Sequence, residues 1–188
     1  SQRLMVVGTL ADIIEEQFRR HFAQVGITDV DFFPAARADD LPPVGPGTRV
    51  LLAQPYLSDT VPALCKRGAK LVSATYPLGV EGTLAWFQAA AAEWGVGAES
   101  VKESLAIPIA RAQKSLAKAR ESLQDRTIHF LPDSQLELPL ARFLRDECGM
   151  SLMEVATPYL DQTLMAEEML RLGPGVLLVE GSDLDSAL

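Results

Sequence analysis

The stretch RLMVVGTLADIIEEQFRRHFAQVG, from Arg3 to Gly26, decides the fold class. Arg3 to Leu10 is a short apolar run closed by Gly8 and Thr9, the composition of a strand buried on both faces. In the next segment, Ala11 to Val25, Ile13, Ile14, Phe18, Phe22 and Val25 recur at helical spacing. Glu15, Glu16, Arg19 and Arg20 fall on the opposite side, and Gly26 is a natural C-terminal stop. A buried strand feeding an amphipathic helix is the opening half of a right-handed βαβ unit.

The alternation continues outward from there. Ile27 to Phe33 reads as a strand, and Thr48 to Ala53 as another after a Pro/Gly-rich loop that begins at Leu41. Leu57 to Arg67 reads as a short helix, Lys70 to Thr75 as a strand, and Thr83 to Trp94 as an Ala-rich helix carrying Trp86 and Phe87. From Ala98 to Arg126 the periodicity is helical and divided at Pro108, because an interior proline removes a hydrogen bond and clashes with the preceding turn. Its second half places Ile109, Ala112, Leu116, Ala119 and Leu123 on one stripe. The pattern then restarts: strand Thr127 to Leu131, helix to about Cys148, strand Leu152 to Ala156, helix Leu160 to Leu172, strand Val176 to Glu180. The fold class is therefore α/β, with Rossmann-like parallel-sheet units and flanking helices. We expect one unit over residues 1–97, a helical linker over 98–126 and a second, truncated unit over 127–188. Both ends fall beside strand-like segments, as expected of a piece cut from a longer chain.

Composition narrows the function classes. Hydrophobic residues make up 48% and charged residues 22%, which is globular rather than disordered. A formal charge of −8 opposes a nonspecific grip on nucleic acid or on an anionic membrane. No apolar run reaches the ~18 residues that a membrane-spanning helix needs. The first strand-to-helix loop has a single glycine and lacks the dinucleotide fingerprint, and no P-loop pattern occurs, so the chain is expected to bind no nucleotide. Two cysteines, Cys65 and Cys148, stand far apart without ligand spacing; both are read as small hydrophobes on core-facing helices of a reduced, cytoplasmic protein.

In open parallel sheets, ligands bind at the carboxyl ends of strands. Two loops there carry the candidate residues. In Tyr76-Pro77-Leu78-Gly79-Val80-Glu81-Gly82-Thr83, glycines Gly79 and Gly82 permit close backbone approach, and Thr83 can cap the Trp86 helix. An exposed helix N-terminus there suits an anion, and Glu81 is more simply solvated than catalytic. In Pro132-Asp133-Ser134-Gln135, Ser134 with Glu137 matches a capping box, although Pro139 moves the helix start towards Glu137 or Leu138. Capping accounts for Asp133 and Ser134; packing gives no reason for Gln135. In the loop after Ala53, Ser58 or Asp59 serves as an ordinary helix cap. His21 reads as a boundary residue and His129 as a satisfied core or interface residue. The basic stripe of Arg111, Lys114, Lys118 and Arg120 reads as a solvated helix face.

The wording of FLPDSQLELPLARFLRDECGM, from Phe130 to Met150, resembles the N subunit of light-independent protochlorophyllide reductase, a nitrogenase-like family. The resemblance extends in order through RLMVVGTLADIIEEQF, LLAQPYLSDTVPALCKRGAK, YPLGVEGTLAWFQAAA, TPYLDQTLMAEE and VEGSDLDSAL. It implies a subunit of Rossmann-like domains that pairs with a B subunit in a heterotetramer and carries a [4Fe-4S] cluster. It further implies electrons from an L iron protein that uses ATP, and protochlorophyllide as the substrate reduced to chlorophyllide. The family's cluster ligands lie before Ser1, so none transfers to Cys65 or Cys148, and no catalytic, cofactor or metal residue is expected in this segment. Gly79, Glu81, Gly82, Thr83, Asp133, Ser134 and Gln135 remain as candidate cavity-facing loop residues. The chain departs from the family at Cys65, where a charged residue is usual, and at Asp161-Gln162, where His-Arg is usual. By the resemblance the protein is cytoplasmic, or stromal if plastid-encoded, and the isolated segment is inactive. The rival readings are a nitrogenase-like cofactor-assembly scaffold and a non-catalytic α/β binding domain.

Overall fold

A computed structural model describes residues 2–35, 42–55 and 59–181. The chain forms two compact units, one of residues 1–74 and 84–106, the other of residues 75–83 and 107–188. The expected linker over 98–126 is thus divided between them, and the Thr75–Thr83 segment groups with the second unit although its flanks on both sides group with the first.

In the first unit, strands β1 (Arg3–Val7), β2 (Val30–Phe33), β3 (Thr48–Leu52) and β4 (Lys70–Leu71) form a wholly parallel sheet of order β2-β1-β3-β4. Leu4, Met5, Val6 and Val7 are all fully buried, as a continuous apolar run in a parallel sheet requires. Helices α1 (Asp12–Gln24), α2 (Thr60–Lys66), the body of α3 (Gly79–Glu93) and α4 (Ala98–Ser104) complete this unit. Phe22, Trp86 and Phe87 are fully or almost fully buried and, with Phe18, pack at ring-centroid distances of 4.6–5.8 Å. Aromatic pairs of this kind add about 0.5–1.5 kcal/mol beyond area burial. The Trp86 indole N–H donates to the Leu52 carbonyl at 2.7 Å, which satisfies its only donor in the core.

Several expectations need correction here. Ile13 and Ile14 are exposed, because the packed half of α1 is the half that carries Phe18 and Phe22. Cys65 is exposed rather than core-facing: α2 buries Val61 and Leu64, and Cys65 is turned about 100° from that stripe. Asp59 sits at the N-cap of α2 without a side-chain capping bond, while Leu57 and Ser58 lie outside the described residues. α3 begins at Gly79, four residues before the expected start.

In the second unit, β5 (Thr127–Phe130), β6 (Ser151–Thr157) and β7 (Leu178–Glu180) form a parallel sheet of order β5-β6-β7. Helix α5 (Ala106–Leu123) precedes it, with α6 (Glu137–Asp146) and α7 (Ala166–Leu172) as the crossovers. The helical break comes at Leu105, and Pro108 falls in the first turn of α5, where its missing N–H costs nothing. No residue of α5 is buried, so its apolar stripe is at most half-covered. The basic stripe is exposed, as expected. α7 starts later than Leu160 because the Asp161 carboxylate first takes the N–H groups of Thr163 and Leu164, capping a preceding turn. His129 is not a core residue: its side chain is 43% exposed and lies 3.8 Å from Glu154.

Candidate functional site

The carboxyl ends of β5 and β6 lead into the turns 131–136 and 158–165, and α6 lies directly after the first. α6 is the organising element of the unit. It buries Leu138, Pro139 and Ala141 as an apolar stripe should, yet it also buries Glu137 and Arg142, and the adjoining C-cap residue Glu147 is 6% exposed at its side chain. Burying charges is costly unless each is paired and hydrogen-bonded. Each of these three is.

Glu137 serves the turn before it. One carboxylate oxygen accepts the backbone N–H groups of Asp133 (3.0 Å) and Ser134 (2.5 Å); the other accepts the Thr157 hydroxyl (3.1 Å) at the end of β6. This is half of the expected capping box. The reciprocal half is missing, because α6 starts at Glu137 and its N-cap is Leu136. The Ser134 hydroxyl instead accepts the Leu136 N–H at 3.2 Å, closing a local turn.

Arg142 is 2% exposed and Glu168, on α7, is fully buried; Arg142 Nε donates to Glu168 Oε2 at 2.6 Å. Arg142 Nη2 also donates to the carbonyls of Tyr76 and Leu78, each at 3.2 Å, and Glu168 Oε1 accepts the Tyr76 N–H at 2.8 Å. The Tyr76 hydroxyl donates to the Leu164 carbonyl at 3.0 Å. Burial, reinforced by the Glu168 charge, pushes the Tyr76 phenol far above its ordinary range, so it acts only as a neutral donor.

Glu147 occupies the start of α3. Its carboxylate accepts the N–H groups of Val80 (2.6 Å) and Glu81 (3.2 Å), the position where an anion was expected at this helix N-terminus. The protein therefore fills that anion site itself. Burial pushes the Glu147 carboxyl above its ordinary value, against the lowering effect of the two N–H groups.

The two glycines now have a physical reason. A Cβ on Gly79, at φ +72°, would stand 2.0 Å from Glu147 Oε1 and 2.4 Å from Phe143 Cδ2. One on Gly82 would meet Arg142 Nη2 at 2.3 Å. The close approach read from sequence is real, and side chains of α6 make it. Thr83 is not a cap: it lies inside α3 and its hydroxyl donates to the Gly79 carbonyl at 2.6 Å. Glu81 is exposed, as its solvated reading expects. Among the described residues, the Asp133 and Gln135 side chains make no hydrogen bond with the protein.

The second unit thus joins Gly79 and Gly82 to α6 through Glu147 and Arg142, and Asp133 and Ser134 to α6 through Glu137. Sequence reading missed Tyr76, Arg142, Glu147 and Glu168. Nothing in the sequence pattern set these charges apart, because Glu137, Arg142 and Glu147 recur every five residues and so share no helix face. In the first unit, a cavity of about 390 Å³ between Met5, Phe33, Val44, Thr60, Leu64 and Arg67 holds none of the candidate residues.

A family model described as "Nitrogenase component 1 type Oxidoreductase" matches residues 8–186. The chain belongs to this family. Its sequence is 55% identical over 185 residues to the light-independent protochlorophyllide reductase subunit N of Halorhodospira halophila, and 51% identical over 185 residues to that of Acidiphilium rubrum. Each match takes in 98% of this chain and 44% of the relative, so the chain spans less than half the length of these relatives. The resemblance read from the Phe130–Met150 wording therefore holds along almost the whole chain. A solved structure titled "Nitrogenase Cp1 at pH 6.5" has the same fold at a TM-score of 0.64 and 19% identity, covering 98% of this chain and 45% of the other.

Family membership raises the question of an iron–sulfur cluster. Among the described residues no group of three or more His, Cys, Asp or Glu side chains is placed to hold a metal ion. Cys65 is a lone exposed thiol. Cys148 is buried, and burial, helped by Glu147, pushes its thiol up and away from the thiolate a metal needs. The described part of this chain does not fit a cluster site.

Proposed function

We propose that this chain is a section of the N subunit of a light-independent protochlorophyllide reductase. On this reading its role is to build the wall of the substrate cavity from strand-end loops held by α6. The observation that carries the reading is the match at 49–55% identity over 98% of the chain to proteins of that one name. The full-length protein would pair with a B subunit, hold a [4Fe-4S] cluster through residues outside this section, and receive electrons from an ATP-using L iron protein. The cluster would supply single electrons; this section would bind, orient and shield the pigment. Gly79, Glu81, Gly82, Thr83, Asp133, Ser134 and Gln135 mark its cavity-facing loops, and the section alone is inactive.

Three features support the loop assignment. The turns follow strands at their carboxyl ends, where open parallel sheets bind ligands. Their backbone is fixed by buried charges rather than left to solvent, and pre-organised loops of this kind are what positioning a substrate demands. Among the described residues, the side chains of Asp133 and Gln135 have no hydrogen-bond partner.

The test is dark, anaerobic conversion of protochlorophyllide to chlorophyllide by the full-length gene product with its B partner, the L protein, ATP and a reductant, followed by red-region absorption. Conversion is the expected result. No conversion by a complex that still holds its iron–sulfur cluster refutes the reading and favours an assembly scaffold.

A further inference from the structure

We propose that Glu137 is a positioning residue: it locks the 132–135 turn to the end of β6 so that the Gln135 carboxamide is held ready for a carbonyl or carboxylate oxygen of the substrate. This rests on the functional reading above and names one substrate contact within it.

Glu137 is 3% exposed, and its polar bonds go to the turn after β5 and to the last residue of β6. A carboxylate in the first turn of a helix ordinarily needs no burial, since solvent and the helix dipole already stabilise it. Here it gathers two consecutive N–H groups from one turn and a hydroxyl from the end of the neighbouring strand. The Thr157 hydroxyl has a single proton, and the Tyr159 carbonyl at 3.3 Å is the longer, competing acceptor for it. The arrangement fixes Asp133 and Ser134 in the backbone, and Ser134 in turn fixes the Leu136 N–H. Between these pinned residues stands Gln135, half-buried and without a hydrogen-bond partner among the described residues. A half-buried carboxamide that has no partner among the described residues, on a turn held at both sides, keeps its NH2 available to a ligand. The Asp133 side chain, also without a hydrogen-bond partner among the described residues, is exposed.

Glutamine at position 137 keeps one oxygen for both N–H groups and turns its NH2 to the Thr157 oxygen, so Glu137→Gln retains the geometry without the charge. Glu137→Leu removes it. In the full-length complex, Glu137→Leu and Gln135→Leu are each expected to raise the KM for protochlorophyllide up to about tenfold, the weight of one lost hydrogen bond, with kcat within about threefold. The double variant is expected to match the single ones, because Glu137 acts through Gln135. Glu137→Gln is expected to restore KM to within about twofold of the parent. Hydrogen exchange should show the Asp133 and Ser134 amides losing protection in Glu137→Leu alone. If Glu137→Leu does not assemble, Thr157→Val removes one strut only and should raise KM in the same direction. Parent complex without turnover refutes the functional reading. Turnover with KM unchanged in Glu137→Leu or Thr157→Val, or a double variant whose losses multiply, refutes the role of Glu137.

Discussion

Replacing Arg142 by methionine tests whether the buried network holds the second unit together. Arg142→Met leaves the fully buried Glu168 carboxylate without its cation and takes a donor from the Leu78 carbonyl. Breaking one side of a buried pair costs about 3–5 kcal/mol. Many buried pairs become neutral or better when both partners turn apolar, but this one should not. In Arg142→Met/Glu168→Leu the uncompensated charge is gone, yet the Tyr76 N–H has lost its acceptor in a site 2% exposed, and the Leu78 carbonyl its donor. Tyr76 O keeps a bond from the Leu78 N–H, so one N–H and one carbonyl are stranded. At about 1–3 kcal/mol for each of these two stranded groups, the double variant should remain roughly 2–6 kcal/mol less stable than the parent. A chain of this size converts that into a fall in Tm of about 4–24 °C. The assay is thermal and urea unfolding followed by far-UV circular dichroism, with hydrogen exchange at Tyr76 as a local probe. A double variant as stable as the parent, with Tyr76 still protected, would refute the reasoning.

Gly79→Ala and Gly82→Ala should each cost well over the ~1 kcal/mol of an ordinary glycine substitution, since their Cβ atoms would stand 2.0 and 2.3 Å from Glu147 and Arg142. Gly26→Ala, at φ +88° with open space around it, should cost only backbone strain of about 1 kcal/mol; urea midpoints compare the three. Glu147→Ala made with Gly79→Ala should cost less than the sum of the two, because it removes the clashing oxygen. Two carboxyls should give pH dependences of opposite sign. Burial raises Glu147 above its ordinary 4.5, so its contribution is complete below the unfolded pKa and is lost as pH rises through the folded one. Burial also raises Glu93, but hydrogen bonds from Lys70 and Arg49 outweigh it and hold the carboxyl low. The Glu93 contribution is therefore present above the unfolded pKa and lost as pH falls through the folded one. Unfolding measured from about pH 3 to 7 should lose its acid-side decline in part with Glu93→Gln and its opposing slope with Glu147→Gln.

What the sequence disclosed and what it withheld divide along a physical line. The β1 run was legible because a strand buried on both faces has to be apolar throughout, and α1 was legible because its stripe recurs at helical spacing. Ile13 and Ile14 fit that same spacing and still face solvent, since periodicity names a face and only tertiary contacts decide how much of it is covered. At the site, the glycine pair and the Pro132–Gln135 turn announced themselves through backbone chemistry. Arg142, Glu147 and Glu168 did not, because a charge on a helix reads as solvated until a backbone segment from 60 or more residues away is brought against it. Local capping rules foresaw Glu137 reaching back to the Ser134 N–H but not its second bond, since those rules span three residues and the Thr157 hydroxyl lies 20 residues further on.

The most direct test of the central claim, that the loops held by α6 face the pigment, is hydrogen exchange of the full-length protein in its complex with and without protochlorophyllide. Added protection at residues 132–136 and 157–160 on pigment binding is the predicted result. Protection that appears elsewhere in the complex while both turns stay unchanged would contradict it.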